Sequence, residues 1–141
     1  MTGTLYRGRF NISGGISYVA EMIHDAGGTY VWKDNTSASI ASVDLEAQIS
    51  RASNAGFWIN GGEWKSVKSM LAEEPRYKQF KPVRDGNVWL YNRSNLADGG
   101  NDYWARGVTR PDLILADLIK IFHPELAKDH EFVWYKQVPA E

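Results

Sequence analysis

Two arginines and three aromatic side chains carry the most recognition chemistry in this chain: Arg93, Arg106, Trp64, Tyr103 and Trp104. Indole and phenol rings offer faces for a planar ligand, and guanidinium groups fork onto carboxylates or phenolates. Together they suit the binding of a planar or anionic ligand. The plainer reading of the same residues is that Trp104 plugs its loop to the core and Arg93 is a solvated surface charge. Catalytic chemistry is harder to assemble. The histidines, His24, His123 and His130, are dispersed, so direct metal ligation by the protein is not expected. There is no cysteine, which excludes disulfides, zinc-thiolate sites and thiol catalysis. No serine sits in a Gly-x-Ser-x-Gly elbow, and no Gly-x-Gly-x-x-Gly follows a strand. No catalytic residue, metal ligand or cofactor is therefore assigned. A glycan-acting hydrolase would need a carboxyl of raised pKa in a cleft with aromatic sugar platforms, and Asp98 and Asp102 are its candidates.

At 141 residues the chain is expected to be a single α/β domain spanning residues 1–141. A formal net charge of −1, with no run of Lys or Arg, gives no electrostatic case for nucleic acid. No apolar run approaches the length needed to span a bilayer. The first residues lack the apolar centre of a signal peptide, so for an exported protein that segment would lie outside this sequence. Six Trp and seven Tyr are many for this length, and surplus aromatics line either a binding surface or half-buried core edges.

The elements that would position these residues follow from hydrophobic spacing. The most informative stretch runs through residues 40–62. Leu45, Ile49 and Ala52 fall on one helical face, with Asp44 as N-cap and Glu46 in the first turn, where the helix dipole favours a negative charge. Phe57, Trp58 and Ile59 then read as a short buried strand that opens into Asn60-Gly-Gly. Upstream, residues 7–13 read as a strand ending at Gly14-Gly15. Ile16, Val19, Ala20 and Ile23 mark a helix, and residues 29–32 a second, β-branched and aromatic strand. Residues 33–42 form a polar connection. Downstream, residues 64–74 are helical, 76–85 irregular, and 88–91 a strand. The long polar segment 92–107 carries Tyr103 and Trp104, which argue for a functional loop. The spacing predicts a helix over 113–122, apolar nearly all round and so covered on more than one side, and an edge strand within 131–138. The alternation of strands and helices gives an α/β, three-layer fold with a mainly parallel sheet flanked by helices.

Three of these strands run into open loops, at Gly14-Gly15, at Asn60-Gly61-Gly62 and at residues 92–95. In a parallel sheet such ends share one edge, where ligands collect. Paired glycines let a ligand approach backbone N–H groups, or simply make tight turns.

Four segments in order resemble the C-terminal lobe of the substrate-binding proteins of ABC importers for iron–siderophores, haem and cobalamin. They are residues 14–28 (Gly-Gly-Ile-Ser-Tyr-Val-Ala-Glu-Met-Ile-His-Asp-Ala-Gly-Gly), residues 43–49 (Val-Asp-Leu-Glu-Ala-Gln-Ile) with the following strand, residues 77–91, and residues 107–126, from Gly-Val-Thr-Arg-Pro-Asp to His-Pro-Glu-Leu. The resemblance implies one lobe of a two-lobed class III periplasmic binding protein, whose ligand lies between lobes joined by a long helix. It implies a metal chelate as ligand (siderophore, haem or corrinoid), for which Trp64, Arg93, Tyr103, Trp104 and Arg106, in or beside the open loops, are the expected contacts. It further implies an ABC permease as partner, docked through Glu46, and an exported, periplasmic or lipid-anchored location. The N-terminal lobe and linking helix have no counterpart in these residues, so binding by this chain alone is expected to be weak or undetectable. The alternatives are the glycan-acting hydrolase and a stand-alone protein-interaction domain.

Overall fold

Arg7 and Gly8 both take positive φ, 49° and 78°, which is what a two-residue hairpin turn matched to the strand twist requires. The chain therefore doubles back between β1 (Thr4–Tyr6) and β2 (Arg9–Ser13), with Tyr6 opposite Arg9. The structure is a computed structural model that describes residues 1–141. β3 (Ile40–Asp44) pairs antiparallel with the other edge of β2, bringing Ile40 opposite Ser13. A second three-stranded sheet joins β4 (Trp58–Ile59), β5 (Val88–Leu90) and β6 (Lys136–Gln137) in that order. β4 and β5 are parallel, β5 and β6 antiparallel. Thr2 makes a parallel bridge to Ile59, which ties the start of the hairpin to the second sheet.

Around the sheets lie α1 (Tyr18–Asp25), α2 (Leu45–Ala52), α3 (Val67–Glu73), α4 (Lys81–Arg84), α5 (Asp102–Ala105) and α6 (Pro111–Phe122). Ser17 caps α1 by accepting the Ala20 N–H, and Ser66 and Ser69 form a reciprocal capping box on α3. α2 buries Leu45 and Ala52, as its spacing predicts, together with Gln48, while Ile49 is half-buried. No helix is long and apolar enough to cross a membrane.

Two clusters form the core. In the first, Phe10, Trp58, Trp64, Tyr77 and Phe80 interlock, with Trp58 edge-on to Tyr77 at 5.1 Å between ring centroids. In the second, α1 and α6 pack on Ile59, Tyr103, Trp134 and Tyr135. Here α6 is covered on more than one side, as its composition predicts, because Asp117 is itself buried and satisfied. Its carboxylate accepts the N–H groups of Val133, Trp134 and Tyr135 and contacts His130 Nε2 at 2.5 Å.

The α/β class is as expected from the sequence, but the strand pairing is more mixed than a mainly parallel sheet. A two-residue turn can join only antiparallel neighbours, so Arg7-Gly8 forces a hairpin where one strand was expected. Residues 29–32, expected as a strand, form none and run into a turn at residues 31–34, anchored by side chains. The Tyr30 hydroxyl donates to Ser13 O at 2.6 Å, and the Trp32 indole donates to Gln48 Oε1 at 2.6 Å. The expected polar connection 33–42 ends inside β3. Residues 76–85, expected to be irregular, hold a 3-10 helix, Pro75–Gln79, followed by α4. The strand expected across 131–138 shrinks to β6, since Asp117 takes the backbone donors of residues 133–135.

Candidate ligand-binding site

Three strand exits meet at one cavity of about 480 Å³. Ser13 leaves β2, Asn60 and Gly61 leave β4, and Tyr91 leaves β5; Tyr18, Ile40 and Trp104 complete the rim. Ile40 is there because its strand pairs with Ser13, and Tyr18 because α1 starts just past the β2 exit. Asn60 turns the chain with φ of 53°, a left-handed conformation that Asn tolerates better than most residues. Its Oδ1 accepts the Tyr135 hydroxyl at 2.7 Å, and its buried amide nitrogen has no partner.

Trp104 stands at the rim, 51% exposed. α5 presents it: Asn101 caps that turn through the Tyr103 N–H, and Trp104 lies edge-on to Tyr103 at 4.8 Å and to Tyr91 at 5.9 Å. Tyr103 is 1% exposed and serves as the footing beneath Trp104, its hydroxyl pKa pushed up by burial.

The other expected ligand contacts are placed differently. Trp64 is 6% exposed and belongs to the first core cluster, with its indole N–H donated to Glu73 at 3.0 Å. A Cβ at Gly61 would lie 2.5 Å from the Trp64 ring. Gly61 and Gly62 thus admit Trp64 from below rather than a ligand from above, and the exposed stacking face expected of Trp64 is absent. Gly14 and Gly15 behave alike: added Cβ atoms would meet Ser37 O at 2.1 Å and Asn35 O at 2.4 Å, so these glycines admit another stretch of the chain.

Arg106 lies outside the cavity lining and pairs with Asp102. It forks onto Asp102, with Nε at 2.7 Å from Oδ1 and Nη2 on Oδ2, and the Ser94 hydroxyl adds a bond at 2.9 Å. The Arg106 guanidinium, and after it the Ser94 hydroxyl, holds the Asp102 carboxyl below its usual range despite burial. A carboxyl shifted in that direction is not the raised-pKa acid a glycan hydrolase needs. Asp98 is exposed and accepts the Gly100 N–H. Arg93 is held through its backbone, donating to Trp134 O at 3.0 Å, while its side chain is exposed and outside the cavity lining. Asn11, Tyr18, Ile40 and Tyr91 were not singled out from sequence; the open Asn60-Gly-Gly turn was, as one of three strand exits expected to share an edge.

Glu46 sits exposed in the first turn of α2, beyond the end of β3 remote from the cavity, with Arg76 Nη1 3.3 Å from its carboxylate. Arg76 is gripped more firmly by Glu74, through bonds of 2.8 and 2.9 Å. Elsewhere, an apolar recess of about 270 Å³ is lined in part by the packed Phe57 and Phe122 rings, and a polar groove of about 670 Å³ runs along α1 past Glu21, His24 and Lys33. The recess takes in Ile59 of β4, and the groove touches neither β4 nor β5. No group of three or more His, Asp or Glu side chains is placed to hold a metal ion.

The α/β frame whose strand exits converge on this rim has the fold seen in a TroA-like periplasmic binding protein. The chain superposes on the crystal structure of the TroA-like periplasmic binding protein FepB from Veillonella parvula with a TM-score of 0.66 over 92% of its own length, at 15% identity. In sequence it is similar to the uncharacterized lipoprotein MJ0878 of Methanocaldococcus jannaschii, 30% identical over 123 residues. That match takes in 84% of this chain and 28% of the lipoprotein, and the structural match takes in 44% of the Veillonella chain. The chain thus spans less than half the length of either. No family model matches it.

Proposed function

We propose that this chain is one lobe, the C-terminal one, of an exported solute receptor that delivers a metal chelate to an ABC-type membrane permease. The cavity where β2, β4 and β5 end carries this reading, because it is the surface a ligand held between two lobes would meet. It is built for capture. Trp104 and Tyr91 offer aromatic faces, and Asn60 offers a buried amide nitrogen without a partner. The likeness to a periplasmic binding protein supports the receptor role, and similarity to a lipoprotein supports an exported, lipid-anchored location. Both matched proteins are more than twice as long as the aligned part, which agrees with a second lobe closing the ligand from the other side. Glu46 is the proposed permease-docking residue, since it is exposed and lies apart from the cavity.

Titration with a ferric siderophore, haemin and cyanocobalamin, followed by Trp104 fluorescence, tests the reading. Weak binding that quenches Trp104 and is lost in Trp104→Ala supports it. A tight complex with this chain alone refutes its being half of a site, and binding indifferent to Trp104 refutes the cavity.

A further inference from the structure

None of the residues lining the cavity carries a charge. The cations that sequence spacing places near the rim are engaged or absent. Arg106 and Arg93 are outside the lining, Arg106 being paired with Asp102, and Arg9, on β2 itself, is paired with Asp44 at the opposite end of the β2–β3 ladder. Lys33 faces the separate groove along α1. What the cavity does present is neutral: the Asn11 amide, the Ser13 and Ser39 hydroxyls, the Tyr91 hydroxyl and the Trp104 indole N–H. No other residue of the chain engages these side-chain groups.

Such a wall discriminates by charge. An ionised carboxylate or catecholate laid against it loses water without gaining a guanidinium, and burying an unpaired charge is far costlier than burying a bonded neutral group. Carbonyl, amide and hydroxyl oxygens find donors and acceptors here, and an apolar ring edge finds Trp104 and Ile40. Resting on the receptor reading above, we infer that this lobe receives the uncharged, oxygen-bearing face of an electrically neutral chelate and rejects anionic ones. The shared chemistry is met by a neutral trihydroxamate complex or by the amide-fringed ring of a corrinoid.

Backbone and side-chain amide NMR of the chain tests this at chelate concentrations up to millimolar, where half of a site still reports. The probes are a neutral gallium(III) trihydroxamate, cyanocobalamin and a trianionic gallium(III) tris-catecholate. The Trp104 indole and Asn11 amide signals should move with at least one neutral probe, and which one moves them tells hydroxamate from corrinoid. The trianion should bind at least about tenfold more weakly. Ser39→Arg, which adds a cation to the exposed rim, should then raise the trianion's affinity about two- to fivefold. A trianion that binds the unmodified chain as tightly as the neutral probes overturns the charge inference and leaves the receptor reading standing. If no probe moves any rim signal, the receptor reading fails, and this inference with it.

Discussion

The carboxylate of Asp117 accepts the backbone N–H of Trp134 at 2.7 Å, pinning the C-terminal segment to the middle of α6. Val133 and Tyr135 donate to the same carboxylate, and His130 closes the ring from the loop before them. Asp117→Ala strands three backbone donors in the core, each costing about 1–3 kcal/mol when left unpaired. The variant should lose about 3 kcal/mol or more in urea denaturation. Asp117→Asn, which keeps the shape but turns an N–H₂ toward some donors, should fall between it and the parent. A loss under about 1 kcal/mol for the alanine variant would mean water replaces the carboxylate freely.

The Asp102–Arg106 pair gives stability a defined pH dependence. The Asp102 carboxyl, held below its ordinary value of 3.8 chiefly by the Arg106 hydrogen bonds, is charged in the folded chain at pH values where the unfolded chain already takes up a proton. Its contribution is complete above the unfolded pKa and fades as pH falls through the lower folded one. The stability difference between the parent and Asp102→Asn should therefore be flat above about pH 5 and shrink below it, as urea midpoints across the acid range would show. A difference that grows on acidification contradicts the pairing.

How far the sequence revealed this can be read from single residues. Leu45 and Ala52 were legible because burial follows helical spacing, and the place of Trp104 beside the strand exits because its loop follows β5 directly. Trp64 was not, since type and position fit a rim as well as a core, and only packing against Gly61 decides. Arg106 looked free because its partner, one turn earlier, could not be told from a solvated carboxylate. Ile40 and Tyr18 reach the rim through strand register and helix placement, long-range facts that local pattern does not encode.

Trp64 and Trp104 separate folding from binding. Trp64→Ala removes a buried ring from a cluster of five aromatics and should cost about 3–5 kcal/mol of stability. Trp104→Ala removes a half-exposed ring and should cost less than about 1.5 kcal/mol, while abolishing chelate-dependent fluorescence quenching. Denaturation and titration of both variants decide it. If Trp104→Ala unfolds the chain as readily as Trp64→Ala, then Trp104 is a plug and not a platform.

Glu46 tests the other end of the proposed route. Its one internal partner, Arg76, is exposed and already held by Glu74, so removing the Glu46 carboxylate should change stability by less than about 0.5 kcal/mol. A permease arginine that uses the same carboxylate would instead lose its charge-assisted bonds. In the intact protein in cells, Glu46→Ala should lower chelate uptake severalfold, and Glu46→Arg, which places like charges together, should lower it further. Chelate affinity should stay at the parent's value in both, because Glu46 does not line the cavity. Equal losses of affinity and uptake would place Glu46 in ligand binding; unchanged uptake would leave the carboxylate as a helix-dipole charge and move the docking surface elsewhere.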